Sequence, residues 1–223
     1  PKTSLWYGVD PMSEKYPNVG GYIYCVGNPV KLIDPNGKDI EVVQNKDKTY
    51  TVTGGTLNKD NNIYIMQDGK RTGGILGKTL TPYSFFSSDN KAVVGAIINP
   101  TDRSGQNFFD KEIVNGKINI FQYMKNARGG QKYDFKTRGI NEYRGKLTVA
   151  QYMYRGMPFK DGHGNTLFAS ARDIGNYSAG YMAGVSGQTW WDSRKAFDAL
   201  ESWQNKAFST EAMVSQSAEE QVL

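Results

Sequence analysis

The sequence predicts an α+β protein, with short N-terminal strands and hairpins followed by a mainly helical C-terminal part. Three observations lead there. Residues 39–53, DIEVVQNKDKTYTVT, place two β-branched runs around the turn residues Asn45-Lys46-Asp47-Lys48, the pattern of a hairpin. Residues 173–183 are rich in Gly and Ala, with Tyr177 and Tyr181 at helical spacing. The 25 glycines, a mean hydropathy of -0.59 and 13% aromatic residues describe a loop-rich chain whose core uses rings with polar tips.

The elements follow in order. Pro11, Pro17, Pro29 and Pro35 break any helix in residues 1–38, which read as turns and short strands. Asp34-Pro35-Asn36-Gly37 is a strong turn signal, and the hairpin follows it. Asn62 to Met66 reads as a strand closed by a turn at Asp68-Gly69. The apolar run Ala92 to Ile98 is a buried strand or a helix segment; periodicity does not choose. Asn107–Val114 and Ile118–Ala127 read as helices, the second ending at Arg128-Gly129-Gly130. Gln131 to Lys136 returns to strand character. The last third reads as helical: Asp173–Ala183, then Trp190–Trp203 capped by Ser186 or Thr189, then Thr210–Leu223 as a final helix or a disordered end.

Composition narrows the chemistry. A chain of 223 residues fits one or two domains. Cys25 is the one cysteine and His163 the one histidine, so an internal disulfide is impossible and a Cys/His zinc site is disfavoured. No run approaches the ~20 apolar residues of a membrane span, and the opening PKTSLWYG has no apolar signal-peptide run. A net charge of +5 suits an anionic polymer such as RNA, DNA or a cell-wall glycan, and equally a solvated basic surface. No motif names a cofactor. Gly73-Gly74-Ile75-Leu76-Gly77-Lys78-Thr79 falls one residue short of a P-loop, and Asp68 to Gly74 reads better as a hairpin turn than as a phosphate cradle.

Two resemblances go further. Asp10-Pro11-Met12, Glu14-Lys15-Tyr16-Pro17, Tyr22-Ile23-Tyr24-Cys25, Asn28-Pro29-Val30 and Ile33-Asp34-Pro35-Asn36-Gly37 resemble the end of the core domain of RHS-repeat proteins. The resemblance implies that residues 1–38 are a junction and residues 39–223 an effector. It also implies an upstream RHS shell or secretion machinery and export to a target cell. In that family, aspartates at the positions of Asp10 and Asp34 are linked to self-cleavage inside the shell; here Gly20-Gly21 replaces a common Ser-Pro, and Lys38 replaces the usual Leu. Tyr133-Asp134-Phe135-Lys136, followed by Ala171-Arg172-Asp173-Ile174-Gly175-Asn176-Tyr177 and Ala179-Gly180-Tyr181, resembles the bacterial polymorphic toxins called toxin type 44. That resemblance implies a hydrolase or nuclease type of effector and a cognate immunity protein.

The candidate chemistry lies at two places. A helix beginning near Asp173 puts Arg172 with Asn176, and Asp173 with Tyr177. Arg172 is then an anion holder, Asp173 a base or metal ligand, Tyr177 a catalytic proton donor or a substrate-positioning group, and Asn176 and the next-turn Tyr181 position substrate. The alternative is an N-capped helix packed through its small face. A strand at residues 133–136 would turn Asp134 and Lys136 to one face and the two rings to the other. His163, in the turn Asp161-Gly162-His163-Gly164-Asn165, is a further acid–base candidate, and Arg155 a further anion binder. Oxygens of Asp134, Asp173 and Glu142 would suit Mg²⁺, though no spacing demands a metal. The readings are an RNA nuclease, a cell-wall or glycan hydrolase using Asp134 and Asp173, and a non-catalytic binding module left from a decayed RHS protein.

Overall fold

The hairpin of residues 39–53 is closed at its turn by the Asn45 N–H to the Thr49 carbonyl at 2.8 Å and the Lys48 N–H to the Asn45 carbonyl at 3.0 Å. In the computed structural model, which describes residues 39–56, 60–143 and 145–187, strand β1 (Ile40–Gln44) pairs antiparallel with β2 (Tyr50–Gly55). Asp47 Oδ1 accepts the Thr49 N–H at 3.1 Å and Lys48 takes a φ of 65°. Ile40, Val42, Tyr50 and Val52 point inward, as alternation requires. A second hairpin joins β3 (Asn62–Gln67) to β4 (Lys70–Lys78). Its two turn residues, Asp68 and Gly69, have φ of 50° and 73°, the two left-handed positions that a tight hairpin turn needs. The stretch that nears a P-loop is therefore strand β4, whose hydrogen bonds go to β3.

The α+β class is as predicted. A seven-stranded sheet runs in the order β4-β3-β1-β2-β5-β6-β7, with β5 at Ile97–Ile98, β6 at Gly156–Lys160 and β7 at Thr166–Ser170. The pairs β1–β3 and β5–β6 are parallel and the others antiparallel. The sheet curls until its two edges meet. Thr79, just past β4, bridges to Phe168 of β7, and the Leu80 N–H donates to the Phe168 carbonyl at 2.8 Å.

Three expectations change. Only Ile97 and Ile98 of the Ala92–Ile98 run form a strand; Val94-Gly95 is a turn, with Gly95 at φ 87°. Residues 131–136 are turns, not strand: Asp134 accepts hydrogen bonds from the Gly130 N–H at 2.7 Å and from Thr137, which wraps the chain around its carboxylate. The last third is not wholly helical, because the β6–β7 hairpin precedes its helix. Pro158 masks β6 as a strand. The proline is tolerated because β5, the neighbour on that side, pairs only as far as Gly156.

Among the described residues, four α-helices fill in the rest: α1 (Ser104–Phe108), which runs into a wide turn of π-helix at Phe109–Val114, α2 (Ile120–Asn126), α3 (Val149–Met153) and the longer α4 (Ala171–Val185). Asn119, Thr148 and Ser170 cap the last three through reciprocal bonds with the residue three positions on. Two cores result. One, with Val42, Val52, Ile63, Phe85, Phe86 and Ile98, lies inside the curled strands. The other, with Phe108, Tyr133, Phe135, Phe159, Ile174 and Tyr177, lies between the helices and β6–β7. Each large side chain fully buried there contributes about 1.5–3 kcal/mol. The RHS-like segment, Cys25, and the helices expected at 190–203 and 210–223 lie outside the described residues.

The close approaches at Gly156 test this arrangement. A Cβ there would stand 2.7 Å from the Phe85 ring and 2.8 Å from Ile98, both locked in the core. Gly156→Ala is expected to lower stability by about 1–3 kcal/mol in urea unfolding. Gly175→Ala, where a Cβ meets nothing within 4 Å, is expected to raise it slightly, by about 0.5 kcal/mol or more.

Candidate functional site

The first turn of α4 is built around an enclosed carboxylate. Ser170 Oγ accepts the Asp173 N–H at 3.1 Å, and Asp173 Oδ2 accepts the Ser170 N–H at 3.0 Å. Asp173 is thus the third residue of the helix rather than its start; Ser170 is the cap. The Ser84 hydroxyl donates to the same carboxylate, while Ser84 Oγ accepts the Thr81 N–H at 3.0 Å. Thr81, Ser84, Ser170 and Asp173 are each 1% exposed or less. Burial pushes the Asp173 carboxyl up to about 6; the bonds from Ser84 and Ser170 and the charge of Arg172 pull the other way.

Arg172 leaves this turn in another direction. Its Nη1 donates to the Tyr154 hydroxyl, and its guanidinium lies 5.6 Å from that ring's centroid. Burial raises the Tyr154 hydroxyl pKa, and the Arg172 charge opposes the rise. One turn on, Asn176 is 6% exposed and its Nδ2 has no hydrogen-bond partner. A buried donor left in this state costs about 1–3 kcal/mol, so the position is held at a cost to stability.

Tyr177 points to the second place. It packs edge-on against Phe109 and Phe159, at 5.3 and 5.1 Å between centroids, and its hydroxyl accepts the Gly162 N–H. Burial raises its pKa. Gly162 belongs to the β6–β7 turn that carries the exposed His163. Asp161 shapes that turn: Oδ1 accepts the His163 and Asn165 N–H groups at 2.9 and 2.8 Å, and Oδ2 accepts Asn165 Nδ2. These bonds hold the Asp161 carboxyl below its usual value, against a desolvation that alone would raise it. Tyr181 is partly buried, 5.2 Å from the Phe109 ring.

The predicted residues therefore fall into two groups. Arg172 and Asp173 lie where Gly156 pairs with Ser170, at one end of the β6–β7 hairpin; His163 lies at the other end, past the Lys160–Thr166 pair. Tyr177 on α4 links them. The Arg155 side chain ties residues 135–136 to the first group by bonds to the Phe135, Lys136 and Tyr152 carbonyls, at 2.7, 3.1 and 2.9 Å. Asp134 does not share a face with Lys136 as a strand would arrange it. It is 3% exposed, and its oxygens are taken by Gly130 and Thr137. Glu142 is exposed on a short 3₁₀ turn. The three carboxylates weighed for Mg²⁺ are not brought together; among the described residues no group of three metal-ligating side chains forms.

Ser84, Tyr154 and Asp161 escaped the sequence reading. Ser170-x-x-Asp173 is a visible capping-box word. Nothing local marks Ser84 or Tyr154, whose roles arise from contacts across the fold. Among the described residues, no helix is long and apolar enough to cross a membrane. Comparison with family models, with curated protein sequences and with solved structures found no match.

The state of Asp173 has a measurable consequence. Its native pKa of about 6 lies above the ordinary 3.8, so the folded chain holds a proton that the unfolded chain releases. Its stabilising contribution is present at low pH and is lost as pH rises from about 4 through about 6. Asp173→Asn removes that dependence. Between acid and neutral pH the variant is expected to gain on the parent by on the order of 3 kcal/mol. Urea unfolding of both proteins across that range reads it; a variant that loses ground as pH rises would contradict the assignment.

Proposed function

We propose that this chain is the C-terminal effector of an RHS-type bacterial protein, exported to competing cells, and that it cleaves RNA there. The observation that carries the reading is the content of one helix. Along α4 lie Arg172, the partnerless amide nitrogen of Asn176, and Tyr177, which holds the His163 turn. The toxin-like words centred on the same helix and the net charge of +5 support it.

In this reading the RNA backbone lies along α4. Arg172 and Lys136 take backbone phosphate charge. His163 removes the proton of a 2′-hydroxyl, which attacks the adjacent phosphorus; the P–O5′ bond breaks, the leaving oxygen takes a proton from water, and His163 returns its proton to solvent, while Tyr177, 2% exposed, holds the His163 turn in place. Asn176 positions the substrate, with Tyr181 flanking Phe109 beside it. Asp173, enclosed at 1% exposure, keeps the helix start and Arg172 in place instead of meeting the polymer. A cognate immunity protein and an upstream RHS shell or secretion machinery are the partners that this reading entails.

Burial favours a second reading. Asp134, Asp173 and Tyr177 are 3%, 1% and 2% exposed, which suits a non-catalytic module that binds an anionic polymer without cutting it. A glycan hydrolase draws no such support, because it needs two carboxylates facing one bond. The oxygens of Asp134 are taken within its own turn, and the Asp173 carboxylate is engaged by Ser170 and Ser84.

An RNA-cleavage assay separates the readings. His163→Ala and Lys136→Ala are each expected to reduce cleavage by about 100-fold while leaving thermal unfolding near the parent's. Undiminished cleavage by both variants would sink the residue roles. RNA retained but uncut by the parent protein would establish the binding module instead.

A further inference from the structure

Arg155 is a cation with an unfinished set of partners. Its guanidinium stacks on Tyr152 at 4.2 Å and on Phe135 at 4.8 Å. Nη1 donates to the Lys136 and Tyr152 carbonyls, and Nη2 donates to the Phe135 carbonyl. Two consecutive carbonyls thus occupy the end of the fork. The Nε–H and one Nη2–H remain, and they form its side edge. All its partners are neutral: among the described residues no carboxylate forms an ion pair with it. The nearest acidic influence is Asp102, whose Oδ1 is engaged by the Ser104 N–H at 2.7 Å. Burial accordingly lowers the Arg155 pKa. Arg155 is itself only partly buried, so part of the side chain meets solvent.

We propose that the open edge of the Arg155 fork is an oxyanion site that binds a phosphate group in bidentate fashion. An arginine fork matches two phosphate oxygens through parallel N–H bonds, and an incoming anion supplies the charge that the carbonyls do not. The three carbonyl bonds and two ring contacts fix the guanidinium before the anion arrives, so little side-chain entropy is lost on binding. A backbone phosphate of RNA as the source rests on the function proposed above; the site itself does not.

The test is a titration of the full chain with inorganic phosphate at constant ionic strength, with chloride as the balancing salt. In a ¹H–¹⁵N spectrum of arginine Nε–H groups, the Arg155 cross-peak, assigned by its loss in Arg155→Lys, is expected to shift saturably. Phosphate is also expected to raise the parent's Tm by an increment that Arg155→Lys loses. An Nε–H signal that phosphate leaves unmoved overturns the proposal. Should the lysine variant fail to fold, Asp102→Asn serves: removing the competing carboxylate is expected to tighten phosphate binding a few-fold, and unchanged or weaker binding overturns the site. A 2′-deoxy oligonucleotide, which has no attacking hydroxyl, distinguishes the sources. A shift at lower concentration than with free phosphate assigns the site to a polymer, and otherwise it is a site for the free anion. Phosphate binding without RNA cleavage leaves the site standing and removes the RNA reading. RNA cleavage at the parent rate by Arg155→Lys, with no shift in the parent, does the reverse.

Discussion

A single carboxylate joins the two cores of this fold. Asp173 belongs to α4, which packs into the core between helices and hairpin, while its partner Ser84 sits beside Phe85 and Phe86 of the core inside the curled strands. Ser170 contributes from the end of β7. Two segments distant in sequence, the 81–86 turn and the start of α4, thus meet on one group. An ionised carboxylate in this setting costs more to bury than its hydrogen bonds return, which is why its pKa rises to about 6 despite four favourable influences. What the group provides is direction. Only one approach of the 81–86 turn to the helix start satisfies all the donors, and an apolar contact would not specify it.

The same constraint explains why the enclosed residues of α4 and its exposed neighbours have different parts to play. Asp173, Ile174 and Tyr177 face inward because the helix must cover Phe109, Met157 and Phe159. Arg172 is carried outward only as far as Tyr154, which keeps its charge at the border of the core. His163, by contrast, is exposed in the β6–β7 turn outside the core.

Much of the fold could be read locally, and the reasons are visible in particular residues. The two hairpins depend on Asp47-Lys48 and Asp68-Gly69, whose turn chemistry is written in a few neighbouring positions. The cap of α4 is likewise legible in Ser170-x-x-Asp173. Residues 133–136 were not legible, because Tyr-Asp-Phe-Lys alternates like a strand while Asp134 gathers the backbone into a turn. Strand β6 was hidden by Pro158, whose tolerance depends on the shortness of a strand far away in sequence. The candidate site was readable in its residue types and not in its grouping. Tyr177 and Asp173 share a helix face, yet the tyrosine ring carries its hydroxyl away to Gly162.

Arg155 serves the structure through bonds that leave its charge without a carboxylate partner among the described residues. Segment 131–139 has no regular secondary structure, and its internal bonds run chiefly through Asp134. Two further clamps fix it to the fold: the Arg155 guanidinium on the Phe135 and Lys136 carbonyls, and the Tyr152 hydroxyl on the Arg138 carbonyl at 2.7 Å. A lysine at position 155 would supply charge but not a planar fork able to span consecutive carbonyls while stacked between rings. A carboxylate partner would have quenched the charge and closed the open edge. Neutral carbonyls hold the side chain through three hydrogen bonds and do not cancel its charge. The same bonds therefore fix the loop that carries Lys136 and keep a positive charge available beside it.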